Sequence, residues 1–171
     1  MKAVRLIAVG IAVLVVAFGV LVVAARFHDG PLAMIAGGPL DTGEWVESEG
    51  LDWSFASDLP TLELQLLNPP RSRTVWMLLH EGALYIPCGF IDMTLWKQWP
   101  QEAYIDGRAV VRIEGRRHPV KLVRIDEEAV RTAVLAKLAK KYDLPAAEGE
   151  PEDSESVWVF RVDPRRRGPH G

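Results

Sequence analysis

The sequence predicts a mainly β protein of the α+β class: a small antiparallel barrel with one packed helix, carried on an N-terminal transmembrane helix. Three observations lead there. One unbroken apolar run opens the chain, a series of short alternating segments separated by Gly- and Pro-containing turns fills its middle, and one stretch of helical period stands near its end. Many short antiparallel strands with a single helix favour a closed barrel, because closure removes exposed strand edges.

In MKAVRLIAVGIAVLVVAFGVLVVAARFHDG, Lys2 and Arg5 precede an uncharged apolar run over residues 6–25. About 20 such residues suffice to cross a bilayer as a helix. Two readings compete. A signal peptide has a shorter apolar core followed by a small-residue cleavage site, and Val23-Ala24-Ala25 offers such a site. The length of the run favours an uncleaved anchor, and the run has no polar face with which to serve as an ordinary core helix. Lys2 and Arg5 favour a cytoplasmic N-terminus, while Arg26 on the far side weakens that bias. The expectation is a single pass through a bacterial-type cell membrane, contacting lipid through residues 6–25, with the main domain on the outer face.

Without Lys2, Arg5 and Arg26, the 20 Lys+Arg of the chain fall to 17 against 23 Asp+Glu, a net charge near −6. Such an acidic domain is unsuited to nucleic acid, whose binding needs dense basic surface. The one basic run, Arg165-Arg166-Arg167, lies in a Pro/Gly-rich tail and reads first as a solvated end, second as a contact to lipid or an acidic partner. A single cysteine, Cys88, allows no internal disulfide, and the four histidines are scattered outside any metal-ligand spacing. No metal site is expected.

The segments follow in order. HDGPLAMIAGGPLDTGEW is an irregular linker whose Leu32, Met34 and Ile35 give it the means to pack on the domain. TLELQLL (61–67) alternates, with Leu62, Leu64 and Leu66 on one face, and Asn68-Pro69-Pro70 ends it. RTVWMLL (73–79) and ALYIP (83–87) flank His80-Glu81-Gly82 as a hairpin. A second hairpin spans RAVVRIEGRRHPVKLVRID: Ala109, Val111 and Ile113 share one face, Glu114-Gly115-Arg116 turns, and Val120, Leu122 and Arg124 alternate onward. Arg116-Arg117-His118 at that turn reads as solvated. Asp126 is placed to cap a helix through DEEAVRTAVLAKLAKKY, with Glu127 and Glu128 in its first turn and Lys137, Lys140 and Lys141 toward its last. Val130, Val134, Leu138 and Tyr142 form its buried stripe, read as core before dimer contact. The acidic AAEGEPEDSES reads as a mobile loop, and SVWVFRV (156–162) is the closing strand, with Trp158 and Phe160 on one face. The expected divisions are a tip (1–5), an anchor (6–25), a Gly/Pro-rich lead with the first strand region (26–58), the barrel domain (59–163) and a basic tail (164–171).

PRSRTVWMLLHEGALYIPCGF, the short segment holding LWKQWP, and DGRAVVRIEGRRHPVKLVRID together resemble the split β-barrel flavin-binding superfamily, which includes pyridoxamine phosphate oxidase-like proteins and deazaflavin-dependent nitroreductase/quinone reductase proteins. The resemblance covers residues 62–141. It implies a six-stranded split barrel and a homodimer with FMN or a deazaflavin in a groove between barrels. It also implies roles. Arg71 and Arg73 fall where the family places basic residues near the phosphate, and a guanidinium fork suits phosphate oxygens. Cys88 lies where many members have Ser or Thr against the phosphate, although a thiol is the poorer donor. Lys97 matches the basic residue of the connecting segment, and Trp96 and Trp99 would wall the ring system. A plainer reading of LWKQWP stays open: Trp96 and Trp99, three apart, cover the barrel from one helical turn while Lys97 points outward.

No acid/base pair or nucleophile is evident, which flavin chemistry tolerates because the cofactor carries the hydride. The expectation is a membrane-anchored oxidoreductase acting on a quinone-like or nitro-type acceptor. The alternative is a non-catalytic split barrel, a subunit of a membrane complex or a binder of a protein partner or of haem, with His80 the best-placed haem candidate. That alternative is compatible with no bound cofactor at all.

Overall fold

The computed structural model describes residues 2–89, 98–143 and 157–167. Helix α1 (Lys2–Ala25) is long and apolar enough to cross a membrane, and its apolar side chains are exposed along it. Then come β1 (Glu44–Trp45), a 3-10 turn (Trp53–Ala56), β2 (Thr61–Leu67), β3 (Pro70–Trp76), β4 (Leu78–His80), β5 (Ala83–Cys88), α2 (Trp99–Ile105), β6 (Arg108–Ile113), β7 (Arg116–Arg124), α3 (Glu128–Lys141) and β8 (Trp158–Pro164).

The sheet runs β3-β2-β6-β7-β8-β5-β4, antiparallel throughout, with β1 added in parallel to β7. Its two end strands are consecutive in the chain, separated only by Met77. The sheet therefore curls until its first and last members are the two halves of one bent strand, which makes six strands around the barrel. The alternating leucines decide the inside: Leu62, Leu64 and Leu66 are buried, with Val111, Ile113, Leu122, Phe160, Leu84 and Ile86 from the other strands in the same cluster. Met77, wholly buried at the bend, ends the inward face of β3, and Leu78 turns outward beneath α3. Glu81-Gly82 and Glu114-Gly115 close the two hairpins with positive φ at all four residues, a conformation that glycine adopts freely.

Helix α3 lies on the outside of the barrel, burying Val134 and Leu138 against Leu78, Tyr85 and Val159. Its last turn is fastened by side chains: Lys141 Nζ donates to the carbonyls of Ser57, Leu59 and Met77, and the Tyr142 hydroxyl bonds Pro60 and Met77 while its ring stacks on Trp76 at 4.8 Å. The N-cap is Glu127, one residue later than the sequence suggests; Asp126 instead pairs with Arg124 at 2.7 Å. Helix α2 is a second packed helix, with Pro100 in the first turn where its missing N–H is harmless.

The Gly/Pro-rich lead is a folded strap rather than a loose linker. Gly38 N donates to His28 O, Gly30 N to Pro39 O and Leu32 N to Ile35 O, so the chain doubles back on itself. The doubled strap is then tied to β3: Gly37 N donates to Ser72 O, Ser72 Oγ to Gly38 O and Thr74 Oγ1 to Ala33 O. Gly37 and Gly38 are required by proximity, since a Cβ on either would overlap backbone of Gly30 or of Arg26 and His28. Arg112 on β6 completes the fastening with ion pairs to Asp29 at 2.9 Å and Glu63 at 2.5 Å. Of the apolar residues expected to pack the lead, Met34 does not; it is 100% exposed at the strap's tip.

One assignment needs correction. His118 is not solvated: it points into the barrel, 1% exposed, with Trp53 edge-on at 5.4 Å and Phe55 at 6.3 Å, and neither ring nitrogen has a hydrogen-bond partner. It shares the inward parity of Val120 and Leu122, and the 3-10 turn capped by Asp52 closes over it. The arginine run stays largely solvent-exposed at Arg166 and Arg167, as expected, and also makes contacts. Arg166 pairs with Glu49, Arg165 donates to Val120 O, and Arg167 and Arg117 each stand over the Trp45 ring, at 4.3 and 4.4 Å.

Candidate functional site

The barrel has two ends. At one, Trp53 and Phe55 cover His118. The other is built from the residues the sequence singles out. Strand register sets Arg71 opposite Leu66 and Arg73 opposite Leu64, and sets Cys88 opposite Trp158 and Arg124 opposite Phe160. Directly paired residues share a face, and Leu64, Leu66 and Phe160 are core. Arg71, Arg73, Cys88 and Arg124 therefore all belong to the barrel's inner face at this mouth.

Helix α2 lies across the mouth. Trp99 and Ala103 on its inner side are buried, and Trp99 meets Phe160 at 5.7 Å between ring centres. Arg73 lies against Trp99, its guanidinium carbon 5.6 Å from the ring centre. Such a cation over an indole face is attracted by the ring quadrupole. Arg73 has no hydrogen bond or ion pair among the described residues, and its Nε is buried without a partner. Burial pushes its pKa down to about 10; Glu102 and Cys88 oppose that fall, and neighbouring Arg71 adds to it. A guanidinium at that value is still charged at neutral pH. Among the described residues it is thus a desolvated cation with a buried donor unused, a group that an anion would suit.

Of the predicted site residues, Arg71, Arg73, Cys88 and Trp99 come together at this mouth. Cys88 is buried, its thiol donating to Gly89 O at 3.7 Å. Trp96 and Lys97 lie outside the described residues. His80, the haem candidate, stands at the far hairpin, half-buried and edge-on to Tyr85 at 6.1 Å. Among the described residues, no group of three or more His, Cys, Asp or Glu could hold a metal.

Sequence reasoning missed the second half of the mouth. Arg124 stands over Trp158 at 4.4 Å and Tyr104 at 5.3 Å, and those two rings are 5.7 Å apart. The signal was present, because Arg124 continues the inward alternation Val120, Leu122. Rings thus run without a break from the Arg73 side to the Arg124 side: Trp99, Phe160, Trp158, Tyr104. Beyond Arg124 a cleft of about 350 Å³ is lined by Arg124, Ile125, Arg131, Val157 and Trp158.

No protein-family model matches the sequence, and no curated protein does. Three solved structures are similar, two of which are described by name. One, from Listeria innocua and described as a candidate pyridoxamine 5'-phosphate oxidase, is 18% identical with a TM-score of 0.48, covering 63% of this chain and 85% of its own. The other, an F420 reductase, is 17% identical with a TM-score of 0.39, covering 62% and 85%. The functional reading is carried by the chain's own geometry: a curled six-stranded barrel of the split-barrel kind, with arginines and aromatic rings at one mouth and a helix laid across it.

Proposed function

We propose that the α2-capped mouth holds a phosphate-bearing flavin or deazaflavin and that the protein is a membrane-attached oxidoreductase for a quinone-like or nitro-type acceptor. The observation that carries this is Arg73, a desolvated guanidinium on the barrel's inner face with a buried, partnerless Nε. The residues fit the group. Arg73 and the exposed Arg71 would receive phosphate oxygens, Trp99 would hold the Arg73 plane in place and wall the site, and the Cys88 thiol would be the weak donor beside them. When bound, the cofactor supplies hydride transfer, and the chain's part is binding, orientation and exclusion of water. The anchor helix suits a lipid-soluble acceptor. The working unit in this reading is a homodimer, which the outward face of α2 supports: Tyr104 is 61% and Ile105 85% exposed. A domain on the outer face suits FMN and one on the cytoplasmic face a deazaflavin, so labelling an exposed cysteine introduced as Lys121→Cys in sealed, right-side-out vesicles separates the two.

The test is an absorption spectrum of the detergent-purified full-length chain, followed by titration with FMN and with deazaflavin. Uptake is expected, weakened about ten- to a hundredfold in Arg73→Gln, the loss typical of a hydrogen bond to a charged group. A colourless protein that takes up neither would refute the reading. One observation favours a non-catalytic barrel instead: Trp99 and Ala103 already fill the mouth. On that reading Arg73→Gln changes stability alone.

A further inference from the structure

We infer that the cleft between β7, β8 and the start of α3 is a second anion site, built to take a phosphate group on Arg124 and Arg131. It adjoins the Arg71–Arg73 mouth at Arg124 but extends to Arg131 on α3, and it does not rest on the flavin reading.

Three features converge on it. First, Arg124 is held in one orientation, stacked against Trp158 at 4.4 Å and Tyr104 at 5.3 Å, so little side-chain freedom remains to be lost on binding. Among the described residues its ion pair is to Asp126, an exposed carboxylate that competes weakly for the remaining N–H groups. Second, Arg131 reaches the same cleft from α3 and makes no side-chain hydrogen bond or ion pair among the described residues, although the domain around it is acidic. Arg131 thus brings a second guanidinium, with donors unused among the described residues, to the cleft that Arg124 lines. Third, the cleft's volume of about 350 Å³ is within the range of small-molecule sites. A carboxylate is satisfied by a single guanidinium fork; two guanidiniums from different elements suit the three or four oxygens of a phosphate. The phosphate could belong to a soluble metabolite or to an anionic lipid headgroup, and the experiment separates these.

The full-length protein in nonionic detergent is titrated calorimetrically with inorganic phosphate, with dihexanoyl phosphatidylglycerol and with dihexanoyl phosphatidylcholine, the lipids below their micellar concentrations. Saturable binding of phosphate or of the anionic lipid is expected, and none of phosphatidylcholine. Arg131→Gln should weaken it at least about tenfold, Arg124→Gln likewise. Lys121→Gln, which removes an equal charge from the outer face of β7, should leave it unchanged. Tighter binding of phosphatidylglycerol than of inorganic phosphate assigns the site to lipid, and the reverse to a soluble ligand. Arg131 lies on the helix surface, so its variant tests the site even if Arg124→Gln unfolds. Binding indifferent to Arg131→Gln, or absent for both anions, overturns the inference.

Discussion

Replacing Arg73 with methionine should make the protein more stable while destroying the site. The side chains are similar in length, and methionine fills irregular apolar space well. A guanidinium whose pKa falls by more than two units, to about 10, on folding is penalised in its charged form. At about 1.36 kcal/mol for each pKa unit, the penalty is about 3 kcal/mol. Against this, the variant loses the contact with Trp99, about 1 kcal/mol for a partly desolvated cation–π pair. The net expectation is a gain of about 2 kcal/mol. For a domain of this size that raises the melting temperature by about 4–8 °C, measurable by near-ultraviolet circular dichroism in detergent. The same variant should lose phosphate-dependent cofactor uptake. Together these outcomes identify a residue kept for binding at a cost to folding, the trade-off common at functional sites. A melting temperature lowered by several degrees would refute the reasoning, because Arg73 would then be a structural cation and the mouth would have no claim to a ligand.

Four further outcomes follow from the same geometry. His118 is held neutral, its pKa lowered by burial and by Arg116; the unfolded chain therefore binds more protons as pH drops below about 6.5. Stability is full above that value and declines as pH falls toward the folded pKa, so His118→Leu should flatten the decline in melts from pH 7.5 to 5, and an unchanged slope would clear His118. Arg112→Ala leaves the part-buried Asp29 and Glu63 without their cation and should cost about 2–4 kcal/mol in chemical denaturation, with faster proteolysis within residues 26–43; equal proteolysis would show the strap holding without it. Asp29, where burial is outweighed by hydrogen bonds from Thr42, Arg112 and the amides of Asp41 and Thr42, stays ionised well below the usual carboxylate range; its stabilisation is present at neutral pH and lost only in strong acid. Gly37→Ala forces a methyl group onto the Gly30 carbonyl and should cost more than about 2 kcal/mol, whereas Gly50→Ala, with open space around it, pays only for its positive φ.

The barrel was readable because its information is local. Leu62, Leu64 and Leu66 alternate without interruption, and the two Gly-containing turns mark their hairpins. What escaped depends on pairs far apart in the chain. His118 sits beside two arginines in sequence, and only Trp53, brought from the other side of the barrel, makes its position interior. The strap has no periodicity to detect; its order comes from Gly37 and Gly38 fitting against backbone some ten residues earlier and against Ser72. The bend at Met77 lies inside an apparently continuous strand. At the mouth, Arg71 and Arg73 were found through a family resemblance, while Arg124, visible in its own alternation, was passed over because an arginine at the end of a strand usually faces water.

The strap also determines how the protein meets its surroundings. Hydrogen bonds continue from the last turn of α1 through Arg26, Phe27 and His28 into the doubled lead, so no slack length separates the helix from the barrel. A barrel on a flexible tether samples a hemisphere and can reach for a partner. This one follows its N-terminal helix through hydrogen-bonded turns, with no free tether between them. Were that helix to span a membrane, the short, hydrogen-bonded connection would hold the barrel close to the bilayer surface.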